Sequence, residues 1–323
     1  MQRSAGPFQP GSVGAIVVGA RDYLAREYRR ALRFTTEMSA HEDMRDAQAA
    51  PTEVFTSMLI VDLLARRSLD PLVVDSLLAT IRFHLKRDRI HFFARPELLP
   101  ADIDCTSFGV SVLLEAGAID AVDAQPAIDA VVGNVDARGY LMAYFQPAER
   151  DHVDPAVCTN ALYLLHMVGR ARDAQKTEEL VHQFLVDDKH LSGTRYYQSP
   201  DTFLYFVARL CGRFPAARER FAEPLGKALD ARVRATASPL DIAVRVLSRQ
   251  RLGMQDAGER EALLPWVRAD GSFPSYALYR AGKQATYFGC AALTTAFAAA
   301  ALDRRNLALD EATPSTYYVG ATS

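Results

Sequence analysis

The stretch Leu99-Pro100-Ala101-Asp102-Ile103-Asp104-Cys105-Thr106-Ser107-Phe108 sets two carboxylates two residues apart, ahead of an apolar run that ends near Gly117. Pro followed by Asp before an apolar run marks a helix start. Asp102 can there cap free N–H groups, and Asp104 gains from the helix dipole. If the helix is buried, the same pair acquires acid–base character. Two charges cannot share a dry site cheaply, so one proton tends to stay on the pair. The helix N-terminus opposes this, because its partial positive charge favours the carboxylate. Asn160 lies inside the apolar run 157–168, where a buried amide requires partners. His152 and Asp154 are too few for a metal site, and Asp154 reads as the cap of a helix begun by Pro155. His84 and His91 flank a turn. The adjacent aspartates Asp187 and Asp188 fall in a polar turn before Lys189.

The elements that must position these groups are helical. Apolar residues recur at helical spacing along nearly the whole chain, and alternating strand patterns are scarce. Amphipathic, charged segments at roughly 13–31, 71–85, 124–133, 172–186, 217–234 and 258–269 alternate with far more apolar ones at roughly 53–66, 104–116, 155–168, 201–212, 240–252 and 287–301. A helix apolar on most sides must be surrounded, whereas an amphipathic one covers a core with one face. The second set is therefore predicted to be inner and the first outer. About six outer–inner pairs, repeating every 40 to 50 residues or so, suit helical-pair repeats. The predicted fold is all-α, a closed α/α toroid over residues 13–303, with a flexible segment at 1–12 and a tail at 304–323. An open solenoid is the competing arrangement.

Composition narrows the function. With 37 Lys plus Arg against 39 Asp plus Glu, the formal charge of −2 lacks the basic excess that nucleic-acid binding needs. A hydrophobic content of 49% excludes disorder as the dominant state. The apolar stretch 290–302 is too short and too rich in Ala to span a membrane, and the N-terminal residues do not read as a secretory signal. Cys105, Cys158, Cys211 and Cys290 form no CxxC pair. They read as reduced, buried small hydrophobes, which predicts a cytoplasmic protein.

The sequence Asp102-Ile103-Asp104-Cys105-Thr106-Ser107 resembles the DxDD and DxDTT acid motifs of class II terpene cyclases. Residues 140–145, 154–160 and 194–201 are similar to stretches of the β domain of drimane-type sesquiterpene cyclases. Residues 266–273 resemble a decayed glutamine–tryptophan repeat of squalene–hopene cyclases. The resemblance spans about residues 20–303. It departs from the family at Cys105, where Asp or Thr is usual, and neither a fused phosphatase-like domain nor a γ domain is expected. The chain is therefore similar to the one-domain cyclases that close prenylated aromatics. DxDxT also opens the active site of haloacid-dehalogenase phosphatases. There it follows a buried strand, whereas Glu97-Leu98-Leu99-Pro100 precedes it here and no GDxxxD follows.

The resemblance implies protonation-initiated cyclisation of a linear isoprenoid. Asp104, at the family's middle aspartate, is then the general acid, with Asp102 hydrogen-bonding and orienting it and Asn160 as a candidate partner. Phe108, Tyr144, Phe145, Tyr196, Tyr197, Phe203, Tyr205, Tyr287 and Phe288 are candidates for an aromatic wall around the carbocation; for each, core packing is the alternative. Arg195, Arg280 and Lys283 are candidates for a diphosphate site, with Mg²⁺ if the substrate is a diphosphate and no cofactor otherwise. The expected substrate is farnesyl or geranylgeranyl diphosphate, giving a drimane-type bicyclic product that keeps its diphosphate. The alternative is a prenylated aromatic. The expected partner is that small molecule alone, with peripheral membrane contact allowed. Two other functions compete. A non-catalytic helical-repeat interaction protein predicts a charged concave face without a deep pocket. A metal-dependent synthase needs DDxxD on a helix.

Overall fold

The computed structural model describes residues 12–64, 69–145, 152–235, 237–256, 258–282 and 284–303. Among them, α1 (Val13–Ala31), α3 (Pro71–His84), α5 (Ala121–Gly133), α7 (Gln175–Val186), α9 (Pro215–Ala231) and α11 (Glu259–Leu263) alternate with α2 (Phe55–Leu64), α4 (Ile103–Glu115), α6 (Pro155–Met167), α8 (Pro200–Arg213), α10 (Pro239–Leu252) and α12 (Ala291–Leu302). The even-numbered helices are buried almost all round; in α4 every residue from Ile103 to Leu114 is buried. The odd-numbered ones bury one face, as α7 does through Thr177, Val181 and Leu185. Of the expected terminal segments, all but Ser12 lie outside the described residues.

The inner helices form a ring. α2 packs on α4, α4 on α6, α6 on α8, α8 on α10, α10 on α12, and α12 returns to α2. That closure separates a toroid from an open solenoid. The polar punctuation in the sequence starts these helices. Asp102 caps α4 through the Cys105 N–H, Asp154 caps α6 through Ala156 and Val157, and Ser199 caps α8 through Asp201. Ser238 and Asp241 form a reciprocal capping box on α10. Pro155, Pro200 and Pro239 occupy first-turn positions, where a missing N–H costs nothing.

Two expectations are corrected. The helix predicted from residue 287 begins at Ala291. Tyr287–Gly289 is instead a strand, β6, of a small antiparallel sheet. Its other strands are β1 (Glu37–Ser39), β2 (Gln48–Ala49) and β5 (Ala277–Arg280), in the order β2-β1-β6-β5. A two-stranded hairpin, β3 (Leu85–Lys86) with β4 (Arg89–Ile90), completes the strands among the described residues. Gly289 is required where it stands, because a Cβ there would lie 2.0 Å from the Tyr276 carbonyl oxygen. The helix predicted over 258–269 is cut to α11 and a single turn at Leu264–Trp266, which contains Pro265.

All four cysteines are buried and unpaired. Among the described residues no helix is long and apolar enough to cross a membrane.

Candidate active site

The N-terminal ends of α2, α4, α6 and α8, with the β5–β6 hairpin ahead of α12, surround a cavity of about 540 Å³. Asp102, Asp104 and Cys105 reach it from the start of α4. Phe55 comes from α2, Val157 from α6, Tyr196 and Tyr197 from the turn before α8, and Tyr279, Arg280 and Phe288 from the hairpin. The long loop before α4 adds Phe92, Phe93, Leu98 and Leu99.

Asp104 is buried, and both its carboxyl oxygens accept hydrogen bonds. Asn160 Nδ2 donates to Oδ1 at 2.8 Å, and the Tyr197 hydroxyl donates to Oδ2. Burial pushes its pKa up to about 6, while the two donors pull it down. Asp102 is equally buried and is pushed up to about 7, first by burial and then by the charge of Asp104. The expected hydrogen bond between the two carboxyls is absent. Asp102 Oδ1 accepts the Cys105 N–H at 2.6 Å, and Oδ2 is buried with no partner. The capping geometry turns Asp102 along its own helix end, so the two carboxyls are coupled through charge and not through a hydrogen bond. Thr106 is occupied by the backbone: its hydroxyl donates to the Asp102 carbonyl and accepts from the Ile90 N–H.

Asp154 positions the turn that carries Tyr197. Its Oδ1 caps α6, while Oδ2 accepts the Tyr196 N–H at 3.2 Å. Gly193 makes this turn possible, with φ 68° and a Cβ position only 2.3 Å from the Gln198 carbonyl oxygen.

Of the aromatic candidates, Tyr144, Tyr196, Tyr197 and Phe288 line the cavity. The others do not. Phe108 lies one helical turn beyond Asp104, packed edge-on against Phe55 and Phe206. Phe203 faces outward, against Phe184 of α7 and the His190 ring. Tyr205 contacts Phe297 and the Arg251 side chain. Phe145 lies under the Arg89 guanidinium, and Tyr287 alternates away from Phe288 along β6. The wall is completed by Phe55, Phe92, Phe93 and Tyr279, which helical periodicity did not single out. Tyr279 and Phe288 stack with centroids 5.7 Å apart, and Phe92 meets both edge-on.

Arg195 and Arg280 also line the cavity. Arg280 donates to the carbonyls of Arg195 and Thr194, at 3.1 and 2.7 Å. Arg195 Nε is buried without a hydrogen-bond partner. Lys283 lies outside the described residues. Among the described residues no group of three or more His, Cys, Asp or Glu side chains could hold a metal ion, so the donor set does not fit a resident metal.

A closed ring of inner helices thus surrounds an aromatic cavity with a buried aspartate pair at its rim. The type II terpene cyclase MstE from Scytonema superposes over 90% of this chain and 97% of its own, with a TM-score of 0.64 and 12% identity. The chain has the fold of the type II terpene cyclases. MstE has also been solved as a variant in complex with geranylgeranyl dihydroxybenzoate, its substrate, and that structure matches at TM-score 0.64 and 13% identity over 90% of this chain and 96% of that one. A protein from Actinoplanes covers 92% of this chain and 100% of its own, at TM-score 0.69 and 13% identity. Residues 20–168 match the family model of the sesquiterpene cyclase astC-like C-terminal domain. Drimenol cyclase drtB of Aspergillus calidoustus is 28% identical over 223 residues, covering 67% of this chain and 41% of that protein. This chain thus spans less than half the length of the curated relative that it matches. The resemblance to class II terpene cyclases is borne out by the cyclase family model, the cyclase relative and the cyclase fold together.

Proposed function

We propose that the chain is a class II terpene cyclase, in which Asp104 protonates an alkene or epoxide of a linear isoprenoid and so starts ring closure. The observation that carries this reading is a buried carboxyl at the rim of an aromatic cavity, held by two neutral donors. Protonating carbon requires a strong acid that is nevertheless protonated beforehand. Burial and the neighbouring Asp102 keep a proton on the pair. Tyr197 and Asn160 then stabilise the carboxylate left behind, which makes Asp104 the better donor of the two. The rings of Phe55, Phe92, Phe93, Tyr279 and Phe288 line the cavity, and each ring that meets the cation face-on would stabilise it by about 0.5–2 kcal/mol. Incubation with farnesyl diphosphate, geranylgeranyl diphosphate and a prenylated hydroxybenzoate, read by mass spectrometry, tests the reading. Cyclic isomers of the substrate support it; unchanged substrate in all three arms overturns it.

The pH dependence follows from the same geometry. The active state carries a proton on the pair, and both folded-state values are raised, to about 6 and about 7. Well below pH 6, kcat/KM should be flat. It should fall as pH rises through 6 to 7, approaching tenfold per unit. Stability moves the same way. The folded state holds protons that the unfolded chain has released, so the acids' contribution is complete below their ordinary range near 4 and is lost through 6 to 7. A profile that rises across this window would contradict a general acid.

For the head group, we propose a diphosphate at the mouth, held by Arg195 and Arg280, with the drimenol cyclase relative as support. Protonating an alkene leaves the C–O bond of the diphosphate intact, so the product keeps that group. Any Mg²⁺ would arrive with the substrate, since the described side chains offer no metal set. Arg195→Ala should raise KM about ten- to a hundredfold, the loss of a charge-assisted contact of about 1.5–3 kcal/mol. A prenylated aromatic acid is the second reading, favoured by Arg280 being tied to two carbonyls, which leaves Arg195 as the freer guanidinium. Activity on the hydroxybenzoate in excess EDTA, with none on the diphosphates, decides for that reading.

A further inference from the structure

Behind one wall of the cavity runs a chain of buried polar side chains that the acid step leaves unused. Tyr279 lines the cavity, and its hydroxyl lies 3.1 Å from Thr56 Oγ1. Thr56 Oγ1 is 2.9 Å from Thr36 Oγ1, and the Thr36 hydroxyl bonds to Glu53 Oε1. Glu53, Thr36, Thr56 and Tyr279 are all buried. Glu53 also accepts the backbone N–H groups of Phe55 and Thr56 at the start of α2. Where another of the described helices has a capping side chain, it is Ser, Asp or Cys. Here a longer acid stands in their place and reaches a hydroxyl chain that leads to the cavity. Each hydroxyl carries one proton, so the chain has two consistent states. All the protons point towards a Glu53 carboxylate, or all point towards Tyr279 with Glu53 protonated. One proton arriving at Tyr279 Oη, with one proton passed along every link to Glu53, converts the first state into the second.

We propose that Tyr279 ends the cyclisation by taking the proton shed by the last carbocation, while its own proton passes through Thr56 and Thr36 to Glu53. The proposal rests on the cyclase reading above. A C–H bond beside the cationic carbon breaks, and its electron pair becomes the new C=C bond, which neutralises the cation. The departing proton bonds to Tyr279 Oη as the old O–H bond yields its proton to Thr56. Thr56 passes one to Thr36, and Thr36 passes one to the Glu53 carboxylate. The relay thereby links two buried acids of opposite duty: Asp104 begins the cycle by losing a proton, and Glu53 ends it by gaining one. Both are reset by exchange with water once the product leaves.

The readout is product composition, which separates termination from initiation. Tyr279→Phe keeps the ring and removes the hydroxyl. Among converted molecules, the share of the wild-type olefin should fall about tenfold, replaced by isomeric olefins and water-captured alcohols. Glu53→Gln and Thr56→Val leave Tyr279 in place, and each should shift the composition in the same direction. Melting temperatures identify any variant that fails to fold, and the remaining ones decide. Wild-type composition in every folded, active variant overturns the relay while leaving the cyclase reading intact. Absence of cyclic product from the wild-type protein, by contrast, overturns the cyclase reading itself.

Discussion

Asp104→Asn should lower turnover by about a thousandfold or more, the range expected when a positioned general acid is removed. The amide keeps the size of the side chain but has no proton acidic enough for an alkene. Folding should be spared. Asp104 is a buried carboxylate whose ionisation burial opposes, so at pH 8 its replacement should leave the melting temperature unchanged or higher. Asp102→Asn should cost far less, about tenfold. Its Oδ1 can still accept the Cys105 N–H, and only the charge that keeps a proton on the pair is lost. The contrast between the two variants is the diagnostic. If Asp102→Asn is the dead variant and Asp104→Asn turns over normally, the donor is Asp102, through its unpartnered Oδ2. Product analysis of both variants at pH 6, on the substrate that the wild type accepts, distinguishes these outcomes.

Much of this architecture was legible in the sequence, because its strongest signals are local. Pro-Asp starts and one-sided against all-round apolar patterns reveal which helices are inner, and the observed ring follows that division helix by helix. Asp104 was legible for the same reason, as it stands in the first turn of a helix whose start is written in the sequence. The aromatic wall was harder to read. Phe55, Phe92, Phe93 and Tyr279 come from one helix start, one loop and one short strand, and they meet only through the pairing of β5 with β6 and of residues 52–54 with 92–94. Strands of two to four residues whose partners lie at opposite ends of the chain leave no local periodicity, so residues 287–290 read as helix. Phe108 and Tyr205 pack away from the cavity because helical spacing gives a face but not the depth along it, while Phe203 stands on the side of α8 that meets α7. Asn160 was legible as a polar residue in an apolar run, and its partner is Asp104. The ion pair of Arg209 with Asp62 could not be read, since the partners lie 147 positions apart in the sequence.

That ion pair supports the second large effect. Arg209 of α8 and Asp62 of α2 join across the ring at 2.8 and 3.0 Å, with side chains 1% and 5% exposed. The guanidinium carbon lies 4.4 Å from the centre of the Phe108 ring and 3.5 Å from that of Tyr163. Asp62→Ala would strand this cation among aromatic rings without its nearest counter-charge. The cost should be about 3–5 kcal/mol, a fall in melting temperature of about 10 °C for a domain of this size. Replacing both partners with apolar residues of similar volume, Asp62→Leu with Arg209→Met, should restore most of that loss, because no charge is then left buried alone. The double variant also probes chemistry. Arg209 lies over Phe108, one turn along α4 from Asp104, and its positive charge is among the influences that lower the Asp104 pKa. Without it, Asp104 keeps its proton to higher pH but gives it up less readily. The midpoint of the pH–rate profile should therefore move up while the plateau rate falls. A restored melting temperature with an unmoved profile would confine Arg209 to holding α8 against α2. A shifted midpoint makes it part of what sets the strength of the acid.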